Sequence, residues 1–206
     1  MARVVVSEFL TLDGVMQSPG YPDEDPSGGF TEGGWQQPLF DEQMGEFVFG
    51  GLQSAGGLLL GRKTFDIFAA WWPNQPDRDP IAPTINAMPK YVVSTTMQNP
   101  LEWNNSTVLG PNLAHEVNKL RAEPGGDLLV IGSGALAQSL MREGLVDAYQ
   151  LMLHPLLLGD GKRLFRGENP KQALRLTDSR TTPKGVVMLT YEPVLQNEGV
   201  QGEGAT

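Results

Sequence analysis

Cysteine is absent from the 206 residues, and histidine occurs only twice, at His115 and His154. The first absence excludes disulfides, thiolate nucleophiles and cysteine-ligated zinc or iron–sulfur centres; the second excludes a histidine-rich metal site. Bases are also scarce: 15 Lys and Arg stand against 24 Asp and Glu, a formal net charge of −9. A chain this acidic lacks the basic face that nucleic acid or an anionic membrane requires, so neither is expected as a partner. No apolar run approaches the ~18 residues of a membrane span. Val4-Val5-Val6 is short and is soon followed by Glu8, unlike the apolar core of a signal peptide. The expected location is the cytoplasm.

What is present fits a single domain over residues 1–193 with a polar, Gly/Glu-rich tail over 194–206. A chain of this length buries roughly 70% of its unfolded surface and needs no covalent staple. Charge is uneven: residues 1–50 hold one base, Arg3, and nine acids. Residues 2–10 form a β-branched run with no helical period, which predicts a buried strand. Residues 17–35 carry five glycines and three prolines and read as a long surface loop of the kind that tends to be functional. Phe40, Met44, Phe47 and Val48 then make one helical stripe. Strands are expected near 57–60, 90–95, 106–109, 127–131, 146–153, 173–179 and 186–192. Helices are expected over 62–70, after Pro111 and over 135–142, and residues 72–89 read as a proline-rich connection. Helices and strands alternate through the middle and strands dominate the last third, which argues for α/β architecture with a mostly parallel sheet.

Chemistry is expected where strands run into helices. Gly61-Arg62-Lys63-Thr64 ends one strand and opens a helix, and helix N-termini with adjacent cations attract phosphate. Gly132-Ser133-Gly134-Ala135-Leu136-Ala137 has the G-x-G-x-x-A form of a dinucleotide fingerprint. It lies too late in the chain for a Rossmann domain, yet it offers small residues at another helix N-terminus. Ser94-Thr95-Thr96 places three hydroxyls at a strand end. Asp41, six residues after Trp35, could set a carboxylate at the mouth of an apolar pocket, or simply favour a helix N-terminus. Asp13-Gly14 could be a plain turn or part of a cleft wall.

Taken together these segments resemble a known family. Thr11-Leu12-Asp13-Gly14, Leu60-Gly61-Arg62-Lys63-Thr64-Phe65, Lys90 to Thr96, Asp127 to Ala135, Leu145-Val146-Asp147 and Pro155 to Gly161 are similar, in this order, to motifs of the riboflavin-biosynthesis reductase C-terminal domain. That resemblance implies the dihydrofolate reductase-like three-layer fold, with a central mostly parallel sheet and antiparallel C-terminal strands. It implies NADPH as cofactor, with phosphates on Gly61, Arg62, Lys63 and Thr64 and the adenosine end at Ser94, Thr95 and Thr96. Gly132, Ser133, Gly134, Ala135 and Leu136 would lie against the pyrophosphate and nicotinamide. Trp35 would touch substrate, and Asp41 would orient or protonate it, with Asp13 shaping the cleft. Two departures stand out: Ser133 occupies a position where the family commonly has glycine, and Ala148 stands where it commonly has glutamate. The expected activity is reduction of a pterin- or aminopyrimidine-like heterocycle by a homodimer. The alternative is a non-catalytic nucleotide-binding module on the same fold.

Overall fold

The structure, a computed structural model, describes residues 1–76, 78–165 and 170–194. Its strands are β1 (Val4–Thr11), β2 (Ala55–Gly61), β3 (Lys90–Val93), β4 (Ser106–Leu109), β5 (Asp127–Ile131), β6 (Ala148–His154), β7 (Leu174–Thr181) and β8 (Val187–Pro193). Its helices are α1 (Glu42–Ser54), α2 (Arg62–Trp71), α3 (Ala82–Ala87), α4 (Leu113–Ala122) and α5 (Gly134–Arg142). The strands form one sheet in the order β4-β3-β2-β5-β1-β6-β8-β7. From β4 to β6 all neighbours are parallel; β8 and β7 close the sheet in antiparallel sense.

Alternation along each strand sends side chains to two helical layers. On one face Val4, Val6, Leu128 and Val130 pack with Val117 and Leu120 of α4 and Leu136 and Leu140 of α5. On the other, Val5, Leu58, Leu60 and Leu129 pack with Leu52 of α1, Phe65 of α2 and Ile85 of α3. This two-sided burial explains why β2 and β5 read as unbroken apolar runs. The fold is the dihydrofolate reductase-like three-layer arrangement, mostly parallel with antiparallel C-terminal strands.

One helix escaped the sequence reading. Residues 82–87, expected to be part of a connection, form α3. Pro83 sits in its first turn, where a missing N–H costs nothing. The Asp79 carboxylate accepts the N–H groups of Ile81 and Ala82, both at 2.8 Å, and starts the turn. In the C-terminal part of the sheet β6 is largely buried on both faces, unlike β7. The latter is a largely exposed edge strand. Residues 195–206, most of the expected tail, lie outside the described residues.

Parallel strands place their carboxyl ends along one rim of the sheet. The chain lays β2, β3 and β4 outward, then returns to insert β5 between β2 and β1. That reversal is a topological switch point, where a crevice opens beyond the strand ends. At the opposite rim Asp147 binds Arg121 through both oxygens, at 2.6 and 2.7 Å, and accepts the Val4 N–H at 2.8 Å. The Leu-Val-Asp segment is thus a staple between α4, β1 and β6, remote from the crevice.

Candidate active-site cleft

A cleft of about 600 Å³ occupies the switch point. Its walls come from the ends of β1, β2 and β5, from α1, α2 and the start of α5, and from the loop over 16–37. Most of its lining is apolar, and Arg62, Lys63, Lys162 and Arg163 bring four cations to it.

Two helix N-termini meet there. Gly61 precedes α2 and Ser133 precedes α5, and neither helix has a side-chain cap. The first-turn N–H groups of such a helix have no intrahelical acceptor and carry the positive end of its dipole. The two turns are pinned to each other. The Gly61 N–H donates to Ser133 Oγ, and the Ser133 N–H donates to Thr64 Oγ1, each at 2.9 Å. Gly132 (φ 60°) and Ser133 (φ 59°) are both left-handed. Serine replaces glycine here at the strain of a left-handed residue and gains the bond to Gly61. Gly134 lies against Met16: a Cβ there would come within 2.7 Å of Met16 Sδ, so that flexible side chain would have to shift.

The expected phosphate-loop residues therefore do come together: Gly61 to Thr64 and Gly132 to Leu136 all line the cleft. Ser94, Thr95 and Thr96 do not line it; they lie beyond the end of β3, beside Gly61. Arg62 reaches from α2 toward them and donates to Thr96 Oγ1 at 2.5 Å. Ser94 Oγ caps the local turn, accepting the N–H groups of Thr96 and Met97.

The three residues expected at the substrate end are elsewhere. Asp41 is the N-cap of α1 and accepts the Met44 N–H at 3.0 Å; its other oxygen is buried without a partner, and it does not line the cleft. Asp41→Ala is expected to cost about 1 kcal/mol of stability, as loss of an N-cap usually does. Asp41→Asn, which keeps the acceptor, should unfold at the wild-type urea midpoint. Asp13 ties the turn after β1 to residues 158–163. It accepts the N–H of Gly159 at 2.8 Å and of Leu158 at 3.3 Å, and pairs with Arg163. The Thr11 hydroxyl above all, with those backbone bonds, holds its carboxyl down at about 2. Trp35 is buried under the loop. Its indole N–H donates to the Gln17 carbonyl at 2.8 Å and its ring meets His154 edge to face. All three serve architecture first. Trp71 and Trp72 line the cleft instead, and Trp71 stacks on Tyr21 of the loop at 4.9 Å.

Sequence reasoning missed two features. One is Glu8. Val4, Val6, Glu8 and Leu10 share one face of β1, so a carboxylate interrupts a buried stripe, and that interruption was the available signal. Glu8 is 3% exposed and lines the cleft, and its Oε1 has no partner. Burial pushes its carboxyl well above the ordinary range, against a smaller opposing contribution from the Gly132 backbone. The other is Asp25. Its carboxylate joins Lys63 of α2 to Lys162, the latter at 2.7 Å, with Ser27 Oγ bonded to both ammonium groups. Burial acts to raise this carboxyl, but the hydrogen bonds from Lys162, Lys63 and Ser27 prevail and hold it far below its ordinary value.

The family of the chain follows from its sequence. The profile of the family described as RibD C-terminal domain matches residues 2–188. The chain belongs to that family. It is also 32% identical over 192 residues to the uncharacterized protein YyaP of Bacillus subtilis, covering 92% of this chain and 94% of that one. Among solved structures, RibD C-terminal domain architecture recurs in a pyrimidine reductase-like protein of Corynebacterium diphtheriae. That match has a TM-score of 0.63 and 12% identity, and covers 94% of this chain and 92% of the other. It recurs again in Acinetobacter baumannii RibD, at a TM-score of 0.60 and 16% identity, covering 94% of this chain and 58% of that longer one. At these identities the structural likeness speaks for the fold. Membership of this family points to a reductase-type enzyme. No helix among the described residues is long and apolar enough to cross a membrane.

Proposed function

We propose that this protein is an NADPH-dependent reductase of a pterin- or aminopyrimidine-like heterocycle. The observation that carries the reading is the pinned pair of uncapped helix N-termini at the head of an apolar cleft with four cations. Oriented N–H groups and cations suit a pyrophosphate, and the apolar walls suit flat rings. Gly61 to Thr64 and Gly132 to Leu136 would hold the cofactor's phosphates and its nicotinamide half. When bound, NADPH supplies the hydride. The protein's share is alignment, exclusion of water and supply of the accompanying proton. That last role, expected of Asp41, falls to Glu8, the carboxyl group on the cleft wall with an unpartnered oxygen. A non-catalytic binding module would keep the phosphate loops and lack a usable carboxylate; Glu8 argues against it. Titrating the purified protein with NADPH and following cofactor fluorescence tests the binding. Cofactor oxidation with dihydrofolate, dihydropterins and pyrimidinones tests turnover. Fluorescence that never saturates would end the reading.

NADPH is expected to bind at least tenfold more tightly than NADH, because Arg62 lies beside the Ser94 and Thr96 hydroxyls where a 2′-phosphate could take charge-assisted hydrogen bonds. Arg62→Ala should bring the two dissociation constants close together, and equal constants in the wild type would refute the assignment of that phosphate. A homodimer is also expected: the β6-β8-β7 end of the sheet leaves Leu174 and Leu176 exposed on its edge strand. Sedimentation at micromolar concentration should give twice the chain mass, and a monomer mass would exclude the dimer.

A further inference from the structure

Residues 19–33 form a compact surface loop whose ends are tied where the Gly34 N–H donates to the Ser18 carbonyl at 2.8 Å. The half over 19–27 is held together by its own bonds. The Gly20 N–H donates to Glu24 Oε2 at 2.6 Å, the Asp25 N–H to Ser18 Oγ at 3.1 Å and the Ser27 N–H to Asp25 Oδ1 at 3.1 Å. This half walls the cleft through Pro19, Gly20, Tyr21, Glu24 and Asp25. The other half is anchored apart from it: Phe30 is buried with Val15 and Trp35 in a small apolar cluster. Gly28 (φ 77°) and Gly29 (φ 80°) separate the two halves, and a Cβ built on either would point into open space. They are glycine for backbone freedom, as a hinge needs. We propose that residues 19–27 are a strap that Asp25 latches shut across the cleft, and that a diphosphate group opens it by taking Lys63 and Lys162 from the carboxylate.

Such a latch sets when the cleft admits a ligand, not what is done to it there. Its geometry follows from the sheet. Lys63 stands at the start of α2, directly after β2, and Lys162 follows β6; β5 and β1 lie between those strands. The two ammonium groups therefore reach Asp25 from opposite sides of the switch-point crevice, and their ion pairs carry the strap over it. The remaining fastenings are neutral. Tyr21 stacks on Trp71 at the far end of α2, and the Gln17 amide at the root of the loop donates to the carbonyls of Asp25 and Ser27. Charge supplies the trigger. Two ammonium groups face one carboxylate, so one positive charge is unmatched. The neighbouring charges are already engaged: Arg62 pairs with Asp66, Arg163 with Asp13, and Glu24 is turned to the Gly20 N–H. A diphosphate carries more charge and more acceptor oxygens than a carboxylate and matches two ammonium groups better. Asp25 is buried while both lysines are half exposed. An arriving anion thus meets the lysines before the strap has moved.

Because the chain has no cysteine, a single introduced thiol reports on the strap. Met16 adjoins the root of the loop, lines the cleft and is 9% exposed. Met16→Cys in the full chain should react with a bulky aromatic disulfide reagent about 10²-fold more slowly than a free thiol, because labelling waits for local opening. Asp25→Asn keeps the shape and removes the charge, and should speed the reaction about tenfold or more. Millimolar pyrophosphate should do the same to Met16→Cys alone, beyond the effect of sodium chloride at equal ionic strength, and should do nothing further once Asp25 is asparagine. Ala137→Cys, in the core under α5, reports global unfolding and should label at a rate that Asp25→Asn leaves unchanged. Fast labelling of Met16→Cys, labelling indifferent to Asp25→Asn or to pyrophosphate, or equal acceleration of both thiols overturns the latch. A second readout needs no cysteine. Pyrophosphate should change the tryptophan emission of the wild type as Tyr21 leaves Trp71, and Tyr21→Leu should remove that change; an unaltered wild-type emission counts against the latch. NADPH enters neither readout, so the cofactor reading and the latch stand or fall separately.

Discussion

Glu8→Gln should lower turnover by about 10²-fold or more, the usual scale for losing a group that moves a proton, while NADPH binds as before. The amide keeps the shape and hydrogen-bonding pattern of the acid but has no proton to transfer. Glu8 lines the cleft wall at the switch point, on β1, next in the sheet to β5 and its Gly132 turn. The Gly132 backbone meets the Glu8 carboxyl, and the glutamine amide oxygen can still accept there. The pH profile carries the sign. An acid acts only while protonated, so kcat/KM should fall as pH rises through the Glu8 titration, which burial moves above the ordinary carboxylate range. In Glu8→Gln that limb should vanish. Stability should change in the opposite direction. A carboxyl whose folded pKa is raised stabilises the fold fully below its unfolded value near 4.3 and loses that contribution as pH rises through the folded value. At neutral pH the glutamine variant should therefore unfold at a higher urea concentration than the wild type. Loss of activity with gain of stability is the signature of a group retained for function. An unchanged kcat would remove Glu8 from the reaction.

The contrast between Glu8 and Asp41 shows what the sequence can and cannot carry. Strand and helix positions were legible because apolar runs and helical stripes are local: the segments 106–109 and 127–131 match β4 and β5 in full. The phosphate loops were legible because glycine, cation and helix start are adjacent in the chain. The substrate end is different. It is built from β1, the loop, the end of α2 and α3, and no spacing rule connects these segments. Asp41 looked plausible because an acid before an apolar stripe fits a pocket and an N-cap equally well, and the N-cap is the far commoner use. The link between Lys63 and Lys162 left no local trace because their shared partner, Asp25, lies 38 and 137 residues away. Glu8 alone left a local trace: an acid at an inward position of a strand must be paired, neutral or functional.

Lys90 is where the largest loss of stability is expected. It belongs to the Lys90–Thr96 segment that marks the family, yet it takes no part in the cleft. Its side chain is fully buried, and its ammonium donates to the carbonyls of Asn86 at 2.7 Å and Ile85 at 3.3 Å, over the Trp103 ring at 4.3 Å. These are carbonyls of the last turn of α3, which have no intrahelical donor. Lys90 thus fastens α3 to β3, and with it Ile85, part of the cleft wall. Lys90→Ala removes the packing of the stem and orphans those carbonyls, so a cost of about 3–5 kcal/mol is expected, on the scale of large-to-small core changes. Lys90→Met restores the volume without the hydrogen bonds and should cost about 1–3 kcal/mol. Burial pushes the ammonium down to about 8. Between that value and the unfolded value near 10.4 the unfolded chain binds more protons, so wild-type stability should rise with pH across this window. The methionine variant lacks this titration. The stability gap between wild type and Lys90→Met, measured by urea unfolding, should therefore widen from pH 7 to pH 10. A gap independent of pH would mean that the buried ammonium keeps an ordinary affinity for its proton.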